Sequence, residues 1–184
     1  MFHNGDELIN NKHLWNELSK YKDSRTIKKI GYSLYEPKVL SKLLDAELLP
    51  DIIQVPYSIF DRKFELYFNL LKEFNVEIHI RSVFLQGLYF KSANELDANF
   101  KVFKKPLMQL EDLGVKYKIS KLDLALSFVL QNPQIDYVIL GVDTAKQLKE
   151  IVNSSKQKLS KKVLNDLMAI NFEKPTMLNP VNWK

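Results

Sequence analysis

The sequence predicts an α/β fold in which parallel strands alternate with outer helices, as a barrel or as a doubly wound sheet. Three observations carry that expectation. Short apolar runs rich in β-branched residues recur at 27–33, 51–57, 76–81 and 135–140, and such runs suit parallel strands buried on both faces. Between them lie segments with apolar residues at three- and four-residue spacing, the period of a helix packed on one side. The runs end in Gly, Ser, Gln or Pro, as parallel strands do where their carboxyl ends open onto a ligand site. Repeated strand–helix units of this length imply parallel pairing through right-handed crossovers. No internal repeat is evident.

The elements follow in order. Residues 1–4 are too short for a full strand and end in His3-Asn4 before Gly5-Asp6. Residues 11–22 set Leu14, Trp15, Leu18 and Tyr21 on one helical face. Residues 27–33 form a strand ending in a Gly31-x-Ser33 turn. Residues 36–44 form a helix with Pro37 in its first turn, where a missing N–H costs nothing. The strand 51–57 carries Pro56 at its carboxyl end, where a ladder donor can be spared. Residues 61–74 form a helix with Phe64, Tyr67, Phe68 and Leu71 on its core face. The strand 76–81 runs into Ser82-Val83-Phe84-Leu85-Gln86-Gly87-Leu88, which holds one of only five glycines. The loop 84–96 is long for a compact domain, and loops of that length often have a job. Residues 98–113 are helical, with a break expected near Pro106 and a C-cap at Gly114. Ser120 caps 121–131, and Asp123 makes its first turn acidic. The last strand, 135–140, closes on Gly141; Thr144 caps 145–153; Ser160 starts 161–170; and 172–184 is a Pro-punctuated tail.

Composition narrows the class. With 184 residues, 46% of them hydrophobic, a single domain over 1–184 with a real core is expected. No stretch approaches the ~20 apolar residues of a membrane span, and no basic segment followed by an apolar run marks a secretory signal. The chain has no cysteine, which removes disulfides and thiolate metal sites and makes a cytoplasmic protein the expectation. His3, His13 and His79 lack metal-ligand spacing, so no metal is expected. The net charge of +5 comes from 27 Lys+Arg against 22 Asp+Glu. The lysines spread along predicted helix faces instead of clustering with aromatics, so neither nucleic acid nor a membrane is an expected partner.

Four stretches, taken together, resemble the aldo/keto reductase superfamily. They are Lys28-Lys29-Ile30-Gly31-Tyr32-Ser33, Ile53-Gln54-Val55-Pro56-Tyr57, Ile80-Arg81-Ser82-Val83-Phe84-Leu85-Gln86-Gly87-Leu88, and Gly141-Val142-Asp143 followed by Gln147-Leu148. They stand in the family's order and spacing, and the ending Leu178-Asn179-Pro180-Val181-Asn182-Trp183 looks like the family's usual tail. The resemblance implies strands four or five to eight of a (β/α)8 TIM-type barrel, NAD(P)H as cofactor (NADP or NAD), and a small carbonyl substrate in full-length relatives.

It also implies roles. Ser33 and Gln54 fall where the family binds the nicotinamide carboxamide, although Leu34 stands where many members have Asn. Arg81 occupies the place of a Tyr that stacks on the nicotinamide, and a planar guanidinium can also stack; Arg81 also reads as a simple ion-pair partner. Ser82, Leu85, Gln86 and Gly87 fall where donors meet the pyrophosphate. Gly141, Val142 and Asp143 lie where the family grips the adenosine phosphate end, and Gln147 matches an adenine-side position. Ile151 replaces an Asn common in other members. Asp143 would repel a 2′-phosphate more than attract it. His3 matches the family's catalytic His, which holds and polarises the carbonyl; it reads equally as a terminal residue without a role. His79, mid-strand, reads as packed.

The family's Tyr acid and its Lys and Asp partners come from strands one to three, and no stretch of these 184 residues replaces them. A complete α/β barrel takes about 250 residues. The expectation is therefore an incomplete barrel, about its C-terminal half, that is inactive alone. Its terminal strands would leave open edges, so self-association or an N-terminal fragment is the expected partner. The alternatives are a non-catalytic nucleotide-binding or assembly module, or one half of a split enzyme.

Overall fold

The structure, a computed structural model, describes residues 1–183. By its internal contacts the chain divides into two compact units inside the span read from sequence as one domain. The first comprises residues 1–56, 63–81 and 134–138, and the second residues 57–62, 82–133 and 139 onward.

The first unit holds helices α1 (Gly5–Asn10), α2 (Lys12–Asp23), α3 (Pro37–Asp45) and α4 (Glu65–Glu73), and strands β1 (Gly31–Ser33), β2 (Ile52–Pro56), β3 (Glu77–Arg81) and β4 (Tyr137–Val138). The strands form one parallel sheet in the order β1-β2-β3-β4. The strand–helix alternation expected from the apolar periodicity is thus present, with each crossover returning the chain to the neighbouring strand. Successive strand residues point to opposite faces. Tyr32, Ile53, Val55, Ile78 and Ile80 are buried, as are Leu40 and Leu43 of α3 and Phe68 and Leu71 of α4. Each fully buried Leu, Ile, Val or Phe side chain of this set contributes roughly 1.5–3 kcal/mol.

The intervening positions Gln54, Glu77, His79 and Arg81 are only half-buried. The sequence reading of strands buried on both faces therefore holds for β1, whose three residues are all buried, while β2 and β3 bury one face more fully than the other. The register sets Ser33 opposite Gln54, Gln54 opposite His79, and His79 opposite Tyr137. Gly31 leaves no room for a side chain beside β2: a Cβ there would lie 1.8 Å from the Ile52 carbonyl oxygen.

Several strand and helix ends move inward from their expected bounds. The Ile30 N–H donates to Asp51 Oδ2 at 2.9 Å, so β1 starts only at Gly31. Asp136 repeats the device, accepting the Ile78 N–H at 2.7 Å ahead of the two-residue β4. Phe2 adds a single parallel bridge beside Tyr32: its N–H donates to the Gly31 carbonyl at 2.9 Å, and its own carbonyl accepts the Ser33 N–H at 2.6 Å. Helix α1 is unexpected from the apolar pattern. Asn4 caps it, its side chain accepting the Glu7 N–H at 3.1 Å.

The second unit holds α5 (Lys104–Tyr117), α6 (Lys121–Leu130), α7 (Ala145–Ser154) and α8 (Lys161–Met168), with 3-10 turns at Leu88–Phe90, Ala98–Phe103, Pro175–Leu178 and Pro180–Asn182. Phe103, Leu107, Leu110, Leu124, Val129 and Leu167 form its core with Tyr57 and Tyr89. Pro106 does not break the helix as expected. It lies in the first turn of α5, where its N–H has no intrahelical partner to lose. Gly114 is not the cap either. The helix runs through it and ends on Lys118, whose φ of 55° is left-handed, while the absent Cβ leaves room for the Ile119 carbonyl, 3.0 Å from where that carbon would lie. Among the described residues no helix is long and apolar enough to cross a membrane.

Candidate functional site

The second unit contains a cavity of about 790 Å³. One wall is the loop that leaves the third strand: Ser82, Val83, Phe84, Gln86 and Gly87 line it. This loop has unusual backbone. Ser82, Leu85, Gln86 and Gly87 all have positive φ, at 63°, 45°, 52° and 82°. Only for glycine is that conformation free of a Cβ clash, so three of the four carry strain of the kind stored at binding loops.

The loop ties itself together through three backbone bonds. The N–H of Leu85 donates to Ser82 O at 3.1 Å, that of Gly87 to Phe84 O at 3.0 Å, and that of Leu88 to Leu85 O at 3.0 Å. The amides of Val83, Phe84 and Gln86 donate to no acceptor among the described residues. Successive amides presented by such a tight turn form a concavity that suits an anion. Leu85 itself is fully buried and is not among the residues that line the cavity.

The opposite wall is the segment 139–143 with the first two turns of α7. Gly141, Val142, Asp143 and Gln147 all line the cavity. Thr144 caps α7 as the sequence indicates, but the cap is a reciprocal one. Its hydroxyl accepts the Gln147 N–H at 3.2 Å, while Gln147 Oε1 accepts the N–H groups of Asp143 at 2.7 Å and Thr144 at 3.3 Å. Gln147 therefore spends its carbonyl oxygen on the helix terminus. Glu150 and Ile151 complete this wall. Ile151 is the position already noted as replacing the family's common Asn, and helical spacing from Gln147 would have found Glu150 as well, since positions three and four residues on share its face. Phe90, Leu122 and Ile139 also line the cavity, and no local sequence signal marks them.

The remaining candidate residues lie in the first unit. The Ser33 hydroxyl, on a buried residue, donates to Gln54 Oε1 at 3.3 Å, so the two residues read as a pair do meet. Arg81 donates through Nη2 to the Leu34 carbonyl at 3.1 Å, and its guanidinium lies 3.9 Å from the centre of the Tyr35 ring. Its planar face is thus used on a tyrosine of its own unit. His3 is exposed, between the Phe2 bridge and the Asn4 cap. His79 is packed as expected, its ring 4.8 Å from that of Tyr137 and its Nε2 3.3 Å from Glu77. The bond from Lys29, and secondarily that from His79, holds the Glu77 carboxyl below its ordinary range. Burial pushes the phenols of Tyr32 and Tyr89 up, away from neutrality.

Comparison with known proteins gives a family. A model described as the aldo/keto reductase family matches residues 1–171. The chain is 27% identical over 175 residues to Protein tas of Escherichia coli (strain K12), an alignment covering 84% of this chain and 51% of that protein, and the same figures hold for Protein tas of Shigella flexneri. Among solved structures, aldo-keto reductase AKR11C1 from Bacillus halodurans in its apo form has a TM-score of 0.68 at 22% identity, over 83% of this chain and 54% of that one. The thermostable aldo-keto reductase Tm1743, solved with the inhibitor epalrestat, has a TM-score of 0.63 at 17% identity, over 85% of this chain and 53% of that one. At such identities the structural likeness bears on the fold. The chain spans about half the length of the curated relatives it matches.

Proposed function

The chain belongs to the aldo/keto reductase family, and from that footing we propose that its 184 residues hold the nucleotide of an NAD(P)H-dependent carbonyl reductase without turning substrate over by themselves. The cavity of the second unit carries this reading. Its volume of about 790 Å³ lies within the range of small-molecule and cofactor sites. The amides of Val83, Phe84 and Gln86 are suited to pyrophosphate oxygens, and the wall from Gly141 to Gln147 to an adenosine. The residues fit the group. When bound, the cofactor supplies the hydride.

Support for the absence of turnover comes from the sequence, in which no stretch replaces the family's Tyr acid and its Lys and Asp partners. A general acid must give up its proton near the working pH. Burial drives Tyr32 and Tyr89 the opposite way, because nothing beside either phenol favours its anion enough to offset desolvation. His3 is the one residue carried over from a catalytic position, and its role is to polarise a carbonyl, with the protonating group supplied from elsewhere.

The parallel four-stranded sheet is read as an arc of the eight-stranded family barrel. Its edges support a partner. Among the described residues the sheet is continued beyond β1 only by the Phe2 bridge, and β4 is two residues long. A second copy, or a fragment that supplies further strands, would satisfy those edges. The second reading, a non-catalytic nucleotide-binding or assembly module or half of a split enzyme, draws on the same edges.

Purified chain mixed with NADH or NADPH and a panel of aldehydes is expected to show no consumption of cofactor, while its fluorescence titration with the same cofactors saturates. Turnover would overturn the claim of inactivity. Failure of both cofactors to bind would overturn the nucleotide reading.

A further inference from the structure

We infer that helix α7 and the turn after it dock on an anionic lipid bilayer, with Leu148 and Val152 entering the headgroup layer and the surrounding lysines meeting its phosphates. The side of α7 that does so is turned away from the cavity, and the nucleotide reading is not needed for it.

Charge is concentrated at this place. Residues 146–162 hold six of the 27 Lys+Arg, at positions 146, 149, 156, 158, 161 and 162, and one of the 22 Asp+Glu, Glu150. This stretch therefore accounts for the whole net charge of +5, and the remaining residues balance. The expectation of no membrane partner rested on evenly spread lysines, and here they are not evenly spread. All six are exposed. Lys146 Nζ lies 4.0 Å from Glu150 Oε1, and the other five form no ion pair among the described residues. Asp166, one helical turn beyond Lys162, is already engaged by Lys116 at 2.7 Å and by the Tyr117 hydroxyl at 2.6 Å.

The helix adds an apolar component. Of the ten residues of α7 only Ser154 is buried. Gln147, Glu150 and Ile151 line the cavity, and helical spacing sets Leu148 and Val152 on the opposite side with Lys149 and Lys156 beside them. Leu148 and Val152 remain 50% and 49% exposed. The turn that follows is held firmly. Gln131 Oε1 accepts the Leu159 N–H at 2.6 Å, Gln131 Nε2 donates to the Leu159 carbonyl at 3.1 Å, and the Ser127 hydroxyl donates to the Gln157 carbonyl at 3.1 Å. Leu159 is buried by this clamp, which leaves Lys156, Lys158, Lys161 and Lys162 outside.

Exposed aliphatics flanked by lysines are what an amphipathic helix lying on an anionic membrane presents, its apolar side in the headgroup layer and its lysine stems reaching up to the phosphates. A nucleic acid fits less well. Residues 145–163 contain no Arg for bidentate phosphate contacts and no aromatic ring on which a base could stack, and exposed Leu and Val have nothing to gain from a phosphate backbone.

The test is sedimentation of the purified chain with vesicles of phosphatidylcholine alone and of an equal mixture of phosphatidylcholine and phosphatidylserine. The chain should pellet with the mixed vesicles at low salt, stay in solution with the neutral ones, and be released as salt is added. The triple variant Lys156→Gln, Lys158→Gln, Lys161→Gln should bind roughly a hundredfold more weakly, at about fivefold per lysine. Removing the same charge elsewhere on the second unit, with Lys101→Gln, Lys104→Gln, Lys105→Gln, should weaken binding far less. Leu148→Gln with Val152→Gln should weaken it with every lysine in place. Absence of pelleting with mixed vesicles would overturn the inference, as would equal losses in the two triple variants. Unchanged binding of the Leu148, Val152 double variant would overturn the lipid partner, because lysines alone suit any polyanion. Release from the mixed vesicles by duplex DNA at equal phosphate concentration would overturn it in favour of nucleic acid. Pelleting without vesicles would overturn it in favour of contact between copies of the chain.

Discussion

At Gly31 and Asp136 single residues decide how the sheet closes up. An alanine at position 31 would place its Cβ 1.8 Å from the Ile52 carbonyl oxygen, a backbone atom that cannot swing aside. Gly31→Ala should therefore cost more than about 2 kcal/mol of folding stability, read as a lowered urea midpoint; an unchanged midpoint would mean that the strands separate without penalty. Asp136 gives a pH-dependent expectation. Desolvation opposes its ionisation, yet the ion pair with Lys72 and the bond from the Ile78 N–H outweigh it and hold the carboxyl below its usual range. A folded value below the unfolded one, about 3.9, gives stability that is present above about pH 5 and lost as pH falls through the folded value. Since the group is about one-third exposed, Asp136→Asn should cost only about 1 kcal/mol at pH 7, and the gap between wild type and variant should close below pH 3. A gap that persisted there would show that shape, not charge, is at work. Of the residue contacts, Ser33 with Gln54 involves two residues that the family resemblance had already set side by side, and the register of β1 on β2 brings them together. Arg81 on Tyr35 was not, since a loop conformation decides where that ring stands.

Helix α7 shows how much an element's ends matter to the site it borders. Its reciprocal cap both fixes the helix and uses up the donors at the cavity's edge. Thr144→Ala should cost about 1 kcal/mol in thermal or chemical unfolding, and Thr144→Ser should recover most of it; equal stability of all three would exclude the cap as a contributor. Thr144 as a cap was readable from its place ahead of an apolar period. The part played by Gln147 was also written there, as Thr-x-x-Gln, but the family position drew it toward the ligand. Asn4-x-x-Glu7 likewise announced α1, which a search for apolar spacing passes over because the helix is only six residues long. Pro106 and Gly114 misled in the opposite sense. Residue identity suggested punctuation, whereas proline in a first turn and glycine at a close approach are both compatible with one continuous α5. The length of β1 was overestimated because the apolar run extends past the ladder, where the Asp51 carboxylate takes over the Ile30 backbone donor.

For the whole chain, strand–helix order was legible in sequence and the division into two compact units was not, since the units interleave segments distant in sequence. The cavity lay half within reach: the quoted motif stretches supplied Ser82, Gln86, Gly87, Gly141, Val142, Asp143 and Gln147, while Phe90, Leu122 and Ile139 arrive through folding alone. The edges of the sheet bear on assembly. Size-exclusion chromatography with light scattering should report a mass above the 21.5 kDa of one chain, and a strictly monomeric species across the micromolar range would show that the edges are covered from within. Cofactor binding bears on function most directly of all. Titrating the purified chain into NADH and following the nicotinamide fluorescence should give a saturable change that added 5′-AMP reverses. A signal that never saturates, or one that 5′-AMP leaves untouched, would contradict a nucleotide site between the 82–87 loop and the head of α7.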